Sequence, residues 1–449
     1  MTSVQTKKGK NMIDFLKKQS PARIIAAGFV TVILIGSLLL MMPFSLKDGV
    51  ELSYVDALYT SASAVCVTGL VVVDTGMAFS AVGQAVIAVL IQIGGLGVAA
   101  VGAGIIIAMH KKLDIKGRTL ISEASNVGMG NGILKFLKLM FLMTLTFELI
   151  GTALSFIVFS KDYPMLEALG HSVFHSIASF NNAGFDNLGL SGDLYNNVNL
   201  IPYADNALLS LTTCGLVIFG GIGFLLMFEV AQKRFAWKKF SMQTKVVLAT
   251  TAVLLVAGTL LIKLTEDVTW LEAFFISVSV RTAGFSTYNA ANITSAGLLI
   301  MMLFMFVGAS PGSTGGGIKT TSLFVLLQGI KSAATNKSEK AFKYSLPSDA
   351  FRKAAIIAFL GIGIILTGTV LVLAMDPQLA LRDALFEMVS AFGTVGLSTG
   401  ITPTLSAGSK ILSVVIMYIG RLGPLTIATL WYFDKGERVR YPYGNIAIG

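Results

Sequence analysis

The sequence predicts an all-α integral membrane protein in which four span–re-entrant hairpin–span repeats are arranged around a pseudo-fourfold axis. Three observations carry that expectation: a composition suited to lipid, eight long apolar runs, and four short glycine-centred segments lying between successive pairs of runs. Of the 449 residues, 54% are hydrophobic and 13% charged, about half the charged share of an ordinary soluble domain. A soluble chain of this length has to cover its surface with charge, so the composition points to lipid as solvent.

The first apolar run, 24–42, follows MTSVQTKKGKNMIDFLKKQSPAR and is long enough to cross a bilayer, which takes roughly 20 residues. It is longer than a signal-peptide core and no small-residue cleavage site follows it, so it reads as a retained helix. Further runs fall near 79–109, 133–159, 205–231, 245–264, 295–330, 354–375 and 409–432. Segments near 54–67, 166–181, 269–281 and 380–393 are helical in character but too short to cross, and they are expected to be re-entrant. Irregular backbone at membrane depth survives only where protein or a water-filled cavity surrounds it. Four such segments therefore imply a shared cavity. The expected organisation is an N-terminal tail, 1–20, and units 21–118, 119–240, 241–345 and 346–449, the last carrying the C-terminal tail.

The net charge of +10 fits this topology. Lys and Arg gather in the N-terminal tail, in the loops after the second, fourth and sixth runs, and in the C-terminal tail. The positive-inside rule places all five segments, and so both termini, in the cytoplasm of a cell membrane. A basic nucleic-acid binder would instead concentrate them on one face. Cys66 and Cys214 both lie in apolar segments, which argues against a disulfide framework or a zinc cluster. No triad or pair of carboxylates at catalytic spacing is present, so the chain does not read as an enzyme.

The hairpins align on Gly69, Gly184, Gly284 and Gly396. Ten residues before each stands an aromatic: Tyr59, Phe174, Phe274 and Phe386. Five or six residues before stands a serine: Ser63, Ser179, Ser279 and Ser390. A large apolar residue follows: Leu70, Phe185, Phe285 and Leu397. The next run carries a further glycine, Gly94, Gly220, Gly308 or Gly420, and the second unit reaches it only after a longer loop containing Asn196, Asn197 and Asn199. Glycines that merely let helices pack closely would not need matched aromatic and serine offsets.

A short helix aimed at the cavity presents its partially negative C-terminus, which favours a cation. The returning backbone can then aim carbonyls at the axis, and rings of such carbonyls can replace an ion's hydration shell. The expected donors are Val67, Thr68 and Gly69; Asn182, Ala183 and Gly184; Thr282, Ala283 and Gly284; and Thr394, Val395 and Gly396. None of these is acidic, which argues against a divalent-cation filter built of carboxylate rings.

The sixth run is interrupted by GASPGSTGGGIKTTS, 308–322. Glycine and proline cost a helix interior about 1 and 3 kcal/mol each, so this stretch is expected to be a loop. It approaches a nucleotide-binding phosphate loop, but Ile318 intervenes before Lys319 and Thr320 and no strand precedes it. The better expectation is an intramembrane gate formed by Gly308, Ala309, Ser310, Pro311, Gly312, Ser313, Thr314, Gly315, Gly316, Gly317 and Lys319. Arg421, 25 residues after Gly396, is expected near the axis, donating to carbonyls of that loop. A buried arginine in lipid is costly and usually functional.

Other candidates are weaker. Glu167, His171 and His175 share one helical face, but a single rigid helix rarely wraps a metal. Asp56, Asp74, Glu272 and Asp383 could draw cations to the mouth or be ordinary interface charges. Glu148 needs a partner that the sequence does not name.

These hairpins and the 308–322 motif resemble those of the Ktr/Trk/HKT family of potassium transporters, most closely its bacterial Ktr type, over essentially the whole chain. The resemblance implies potassium uptake through a channel-like filter, with glycine at all four filter positions favouring potassium over sodium. It implies an intramembrane gating loop and a homodimer on a cytosolic ring of nucleotide-binding RCK-type regulatory subunits. The regulatory nucleotide is expected on that partner, with no cofactor in this chain and potassium as the transported ion. Plausible contacts are 110–132, 331–353 and the terminal GERVRYPYGNIAIG. Sodium dependence stays open, and a secondary active cation symporter with a midplane site is the alternative.

Overall fold

A computed structural model describes residues 19–108, 119, 133–190, 192–196, 198–234 and 236–430. The contacts expected at 110–132 and in the terminal GERVRYPYGNIAIG lie, apart from residue 119, outside these residues.

Among the described residues, four helices are long and apolar enough to cross a membrane: α1 (Pro21–Leu40), α6 (Ile133–Phe159), α10 (Met242–Thr265) and α14 (Ala350–Met375). Each is followed by a short helix where a re-entrant segment was expected: α2 (Tyr54–Cys66), α7 (Met165–Phe180), α11 (Trp270–Ser279) and α15 (Leu381–Gly393). Local chemistry sets where several of these begin. Ser53 caps α2 through the Asp56 N–H, and Thr269 with Glu272 forms a capping box on α11.

The remaining runs are not single helices. The run near 79–109 is split into α4 (Ala81–Leu96) and α5 (Val98–Ala108), bent by 99°. The run near 205–231 is split into α8 (Ala207–Ile222) and α9 (Phe224–Lys233), bent by 92°. The last is split into α16 (Ala407–Leu422) and α17 (Pro424–Thr429). The expectation of continuous spans is corrected at these three places. The breaks fall at Gly97, Gly223 and Gly423, whose φ values of 87°, 99° and 90° lie outside helical space and suit only glycine without strain. The sixth run breaks as expected, into α12 (Ser295–Phe306) and α13 (Thr320–Thr335) with the glycine-rich loop between. Among the described residues, β structure is limited to a two-stranded hairpin, Lys340–Ala341 with Tyr344–Ser345, and isolated bridges between Leu46 and Phe79 and between Val307 and Ile318.

Small residues set how closely the short helices approach their neighbours. Ser61 Oγ donates to Ile33 O at 2.7 Å, Ser176 Oγ to Glu148 O at 2.7 Å, and Ser277 Oγ to Leu255 O at 2.9 Å. Gly36, Gly151 and Gly258 leave room for those three serines. On the other side, a Cβ on Gly94, Gly220 or Gly420 would collide with the carbonyl oxygen of Val65, Phe180 or Phe392. Each of those carbonyls lies four residues before a hairpin glycine. The glycine period in the later runs is therefore a packing requirement: helix backbone rests on the end of the short helix with no side chain between. Gly308 breaks the series, because it packs on Gly316 of its own loop.

Substituting alanine for Gly94, Gly220 or Gly420 is expected to destabilise the folded protein by about 1–3 kcal/mol through overpacking. Gly102→Ala, at a helical site with open space around it, should be near neutral. Thermal unfolding of the purified variants in detergent checks this; equal midpoints for all four would refute the packing account.

Candidate functional site

The four short helices end at the centre of the molecule, where their final residues are buried. Each then turns through a residue with positive φ: Val67 (58°), Asn182 (58°), Thr282 (101°) and Thr394 (50°). The glycine two residues on is also at positive φ, from 65° at Gly184 to 96° at Gly396.

The glycines form a closed ring. A Cβ on Gly69 would collide with Ala183 O and Gly184 Cα. One on Gly184 would meet Ala283 O and Gly284 Cα, and one on Gly284 would meet Val395 O and Gly396 Cα. One on Gly396 would meet Thr68 O and Gly69 Cα, which completes the circuit. Main chain thus approaches main chain four times.

Serines hold the strands that make the ring. Ser63 Oγ accepts from Gly69 N and Ser390 Oγ from Gly396 N, both at 3.1 Å. Ser279 Oγ donates to Phe285 O, and Ser179 Oγ lies 3.4 Å from His175 Nε2. Of the four serines found by alignment, Ser63, Ser279 and Ser390 therefore brace the returning strand of their hairpin, Ser63 and Ser390 in the same way, while Ser179 meets only its own helix. Glu387, wholly buried behind the fourth hairpin, accepts from Ser398 Oγ at 2.7 Å and Thr402 Oγ1 at 2.5 Å.

On one side of the ring is a cavity of about 300 Å³, lined in part by Gly69, Gly284, Gly396, Asn199 and Tyr288. On the other lies the loop 308–317. Ala309, Ser310 and Thr314 through Gly317 are buried. The loop is stapled to the Gly223 break by main-chain bonds: Ser310 N to Gly221 O at 3.0 Å, Phe224 N to Gly312 O at 3.0 Å and Thr314 N to Gly220 O at 3.4 Å. It also touches the residues that precede the ring glycines. Gly316 N donates to Thr394 Oγ1 at 2.9 Å. The Asn182 amide sits 3.1 Å from Thr314 Oγ1 and 3.2 Å from Thr282 Oγ1.

Arg421 reaches this loop from α16, donating to Thr314 O. Its other terminal nitrogen donates to Gly94 O at 2.5 Å and Gly95 O at 3.3 Å, contacts that the spacing alone does not reveal. Lys319 turns back onto the loop, with Nζ 2.8 Å from Gly315 O. Beyond the loop is a second cavity, of about 530 Å³, whose walls include Gly95, Gly312, Lys319 and Arg421. Ring and loop thus lie in series between two cavities, the arrangement a conduction path requires.

The remaining candidates have local partners. Glu148 accepts at 3.3 Å from the Asn181 amide, which also donates to Gln92. His175 is buried with Nε2 2.9 Å from Thr213 Oγ1, and His171 packs against the Tyr163 ring. Among the described residues, no group of three His, Cys, Asp or Glu side chains is placed to hold a metal. Asp56 is ion-paired with Lys410 at 2.7 Å, Asp74 caps the short helix Thr75–Ala78, Glu272 caps α11, and Asp383 lies 3.4 Å from Arg382. Asn199 entered the sequence reading only as part of the longer second loop, and two polar residues escaped it altogether: Glu387 and Arg281. The last is buried beside Thr282, and its Nε has no hydrogen-bond partner. An acid within DALFEMVSAFG was the visible signal for Glu387.

Residues 4–436 match the family model TrkH, described as a cation transport protein. The chain is 36% identical over 444 residues to the Ktr system potassium uptake protein B of Bacillus subtilis, covering 96% of this chain and 97% of that one. It is 33% identical over 452 residues to the potassium/sodium uptake protein NtpJ of Enterococcus hirae, covering 96% and 98% respectively. The crystal structure of the potassium transporter TrkH from Vibrio parahaemolyticus superposes with a TM-score of 0.72 at 18% identity, covering 92% of this chain and 86% of that one. That likeness establishes the fold.

Glu387→Ala would strand the hydroxyls of Ser398 and Thr402 inside the hairpin and is expected to cost about 1–3 kcal/mol of stability. Glu387→Gln, which can still pair with both, should cost less. Unfolding midpoints of the two variants test the bracing role; Ala as stable as Gln would rule it out.

Proposed function

Since the chain belongs to the TrkH cation transport family, we propose that this multi-pass membrane protein mediates potassium uptake through a channel-like filter in one chain. The observation that carries this reading is the closed ring of Gly69, Gly184, Gly284 and Gly396 between two cavities. Four span–hairpin–span units around a pseudo-fourfold axis account for the ring, with both termini cytoplasmic by the positive-inside rule. Potassium follows from two considerations. The ring offers neutral backbone oxygens, which suit a dehydrated monovalent cation better than a divalent one. The names of the two curated relatives specify potassium, or potassium and sodium.

Residues 308–322 then act as the gate. The loop lies directly beneath the ring, bonded to Thr394 and near Asn182, and Arg421 latches it by donating to Thr314 O. The Arg421 charge in a cation path also opposes passage while the loop is closed. Release of the latch would let the loop withdraw into the 530 Å³ cavity. The glycines suit such movement, because they adopt backbone angles that other residues resist. A homodimer regulated by a cytosolic nucleotide-binding ring completes the proposal, with 331–353 as one contact surface.

Purified protein in liposomes carrying a potassium gradient should load rubidium tracer without stoichiometric movement of a second ion. Strict coupling to sodium or protons would replace the channel-like reading with a symporter. In the same vesicles Arg421→Ala should raise uptake roughly tenfold, the equivalent of losing one charge-assisted hydrogen bond from the closed state. An unchanged rate would sink the latch.

A further inference from the structure

The second unit differs from the others in its loop. Gly184 and Gly220 are 36 residues apart, against 24 or 25 for the matching pairs. Within the added chain Asn199 adopts a left-handed conformation (φ 48°), in which asparagine is tolerated better than most residues. It is 9% exposed. Its Nδ2 donates to Gly184 O at 3.1 Å and to Asp186 Oδ2 at 3.2 Å. Its Oδ1 accepts from Ser286 N at 3.1 Å and Leu200 N at 3.0 Å. One side chain therefore joins the strands that leave the second and third ring glycines.

The 300 Å³ cavity beside the ring shows the consequence. Gly69, Gly284 and Gly396 line it, and where a fourfold arrangement would put Gly184, Asn199 lines it instead. The Gly184 carbonyl is covered by an amide donor.

We infer that Asn199 is a specificity-determining residue, acting on the outermost carbonyls of the proposed path; the inference rests on the potassium reading above. A carbonyl that already accepts an N–H presents a weaker field to an ion and is held in one orientation. Small cations, whose hydration is costly to remove, gain most from strong-field oxygens, so moderating one oxygen in four favours potassium over sodium. The longer second loop exists, on this view, to deliver the amide.

Two variants separate this role from simple bracing. Asn199→Asp keeps the acceptor for Ser286 N and Leu200 N but removes the donor to Gly184 O. Asn199→Gly removes the whole side chain while suiting the positive φ. Rubidium uptake into proteoliposomes, competed with sodium, is the measurement, with monodispersity and unfolding midpoint as controls. Both variants should lose roughly fivefold in discrimination against sodium, about the value of one net hydrogen bond, whatever their maximal rate. Folded, active variants with wild-type discrimination would overturn the assignment and leave the potassium reading intact. A wild type that carries no rubidium or prefers sodium would overturn the potassium reading and this inference with it. Loss of folding in both variants would make Asn199 a structural residue and end the specificity claim.

Discussion

Everything at the centre of the molecule depends on main chain meeting main chain without a side chain between. The ring glycines lie so near the next hairpin's carbonyls that even a methyl group would collide. That contact sets one backbone carbonyl, of Thr68, Ala183, Ala283 or Val395, against each ring glycine. The short helices help by ending at the ring, where their C-terminal dipoles add negative potential. Serine hydroxyls pin three of the strands that follow.

A second ring of constraints surrounds the first. Gly94, Gly220 and Gly420 allow the later helices to lie directly on the ends of the short ones. Immediately beyond, Gly97, Gly223 and Gly423 turn those helices away at positive φ. Close approach followed by a turn opens space beneath the ring, and the third unit fills that space with the 308–317 loop. A loop at this depth must satisfy its own polar groups. It does so through the Gly220–Phe224 main chain, Thr394, Lys319 and Arg421. The two basic residues answer carbonyls on the loop, Arg421 that of Thr314 and Lys319 that of Gly315.

The four hairpins share a backbone conformation at their turns and differ in what stands behind it. At the position nine residues before the ring glycine stand Thr60, His175, Phe275 and Glu387. His175 meets Thr213 on α8, whereas Glu387 meets Ser398 and Thr402 on its own returning strand. Asn199 adds a bridge in one place only among the described ring carbonyls' partners. The shared frame lets such differences accumulate, because each side chain acts on its own strand and leaves the ring contacts in place.

The sequence by itself determined the solvent, the period and the chemistry of the repeats. Lipid demands long apolar runs, glycine is required wherever backbone touches backbone, and the offsets of Ser63 and Ser390 fall where their hydroxyls reach Gly69 and Gly396. Gly308 to Lys319 were legible because no helix tolerates so many breakers. Only the tertiary structure decided the rest. The turns at Gly97, Gly223 and Gly423 were hidden inside apolar runs, since hydropathy reports burial and not backbone angle. The partners of Glu148, the contacts of Arg421 with Gly94 and Gly95, and the reach of Asn199 to Gly184 join residues distant in the chain or set within an irregular loop. Spacing along a helix cannot encode such meetings; they exist because the packed hairpins bring those atoms within hydrogen-bonding distance.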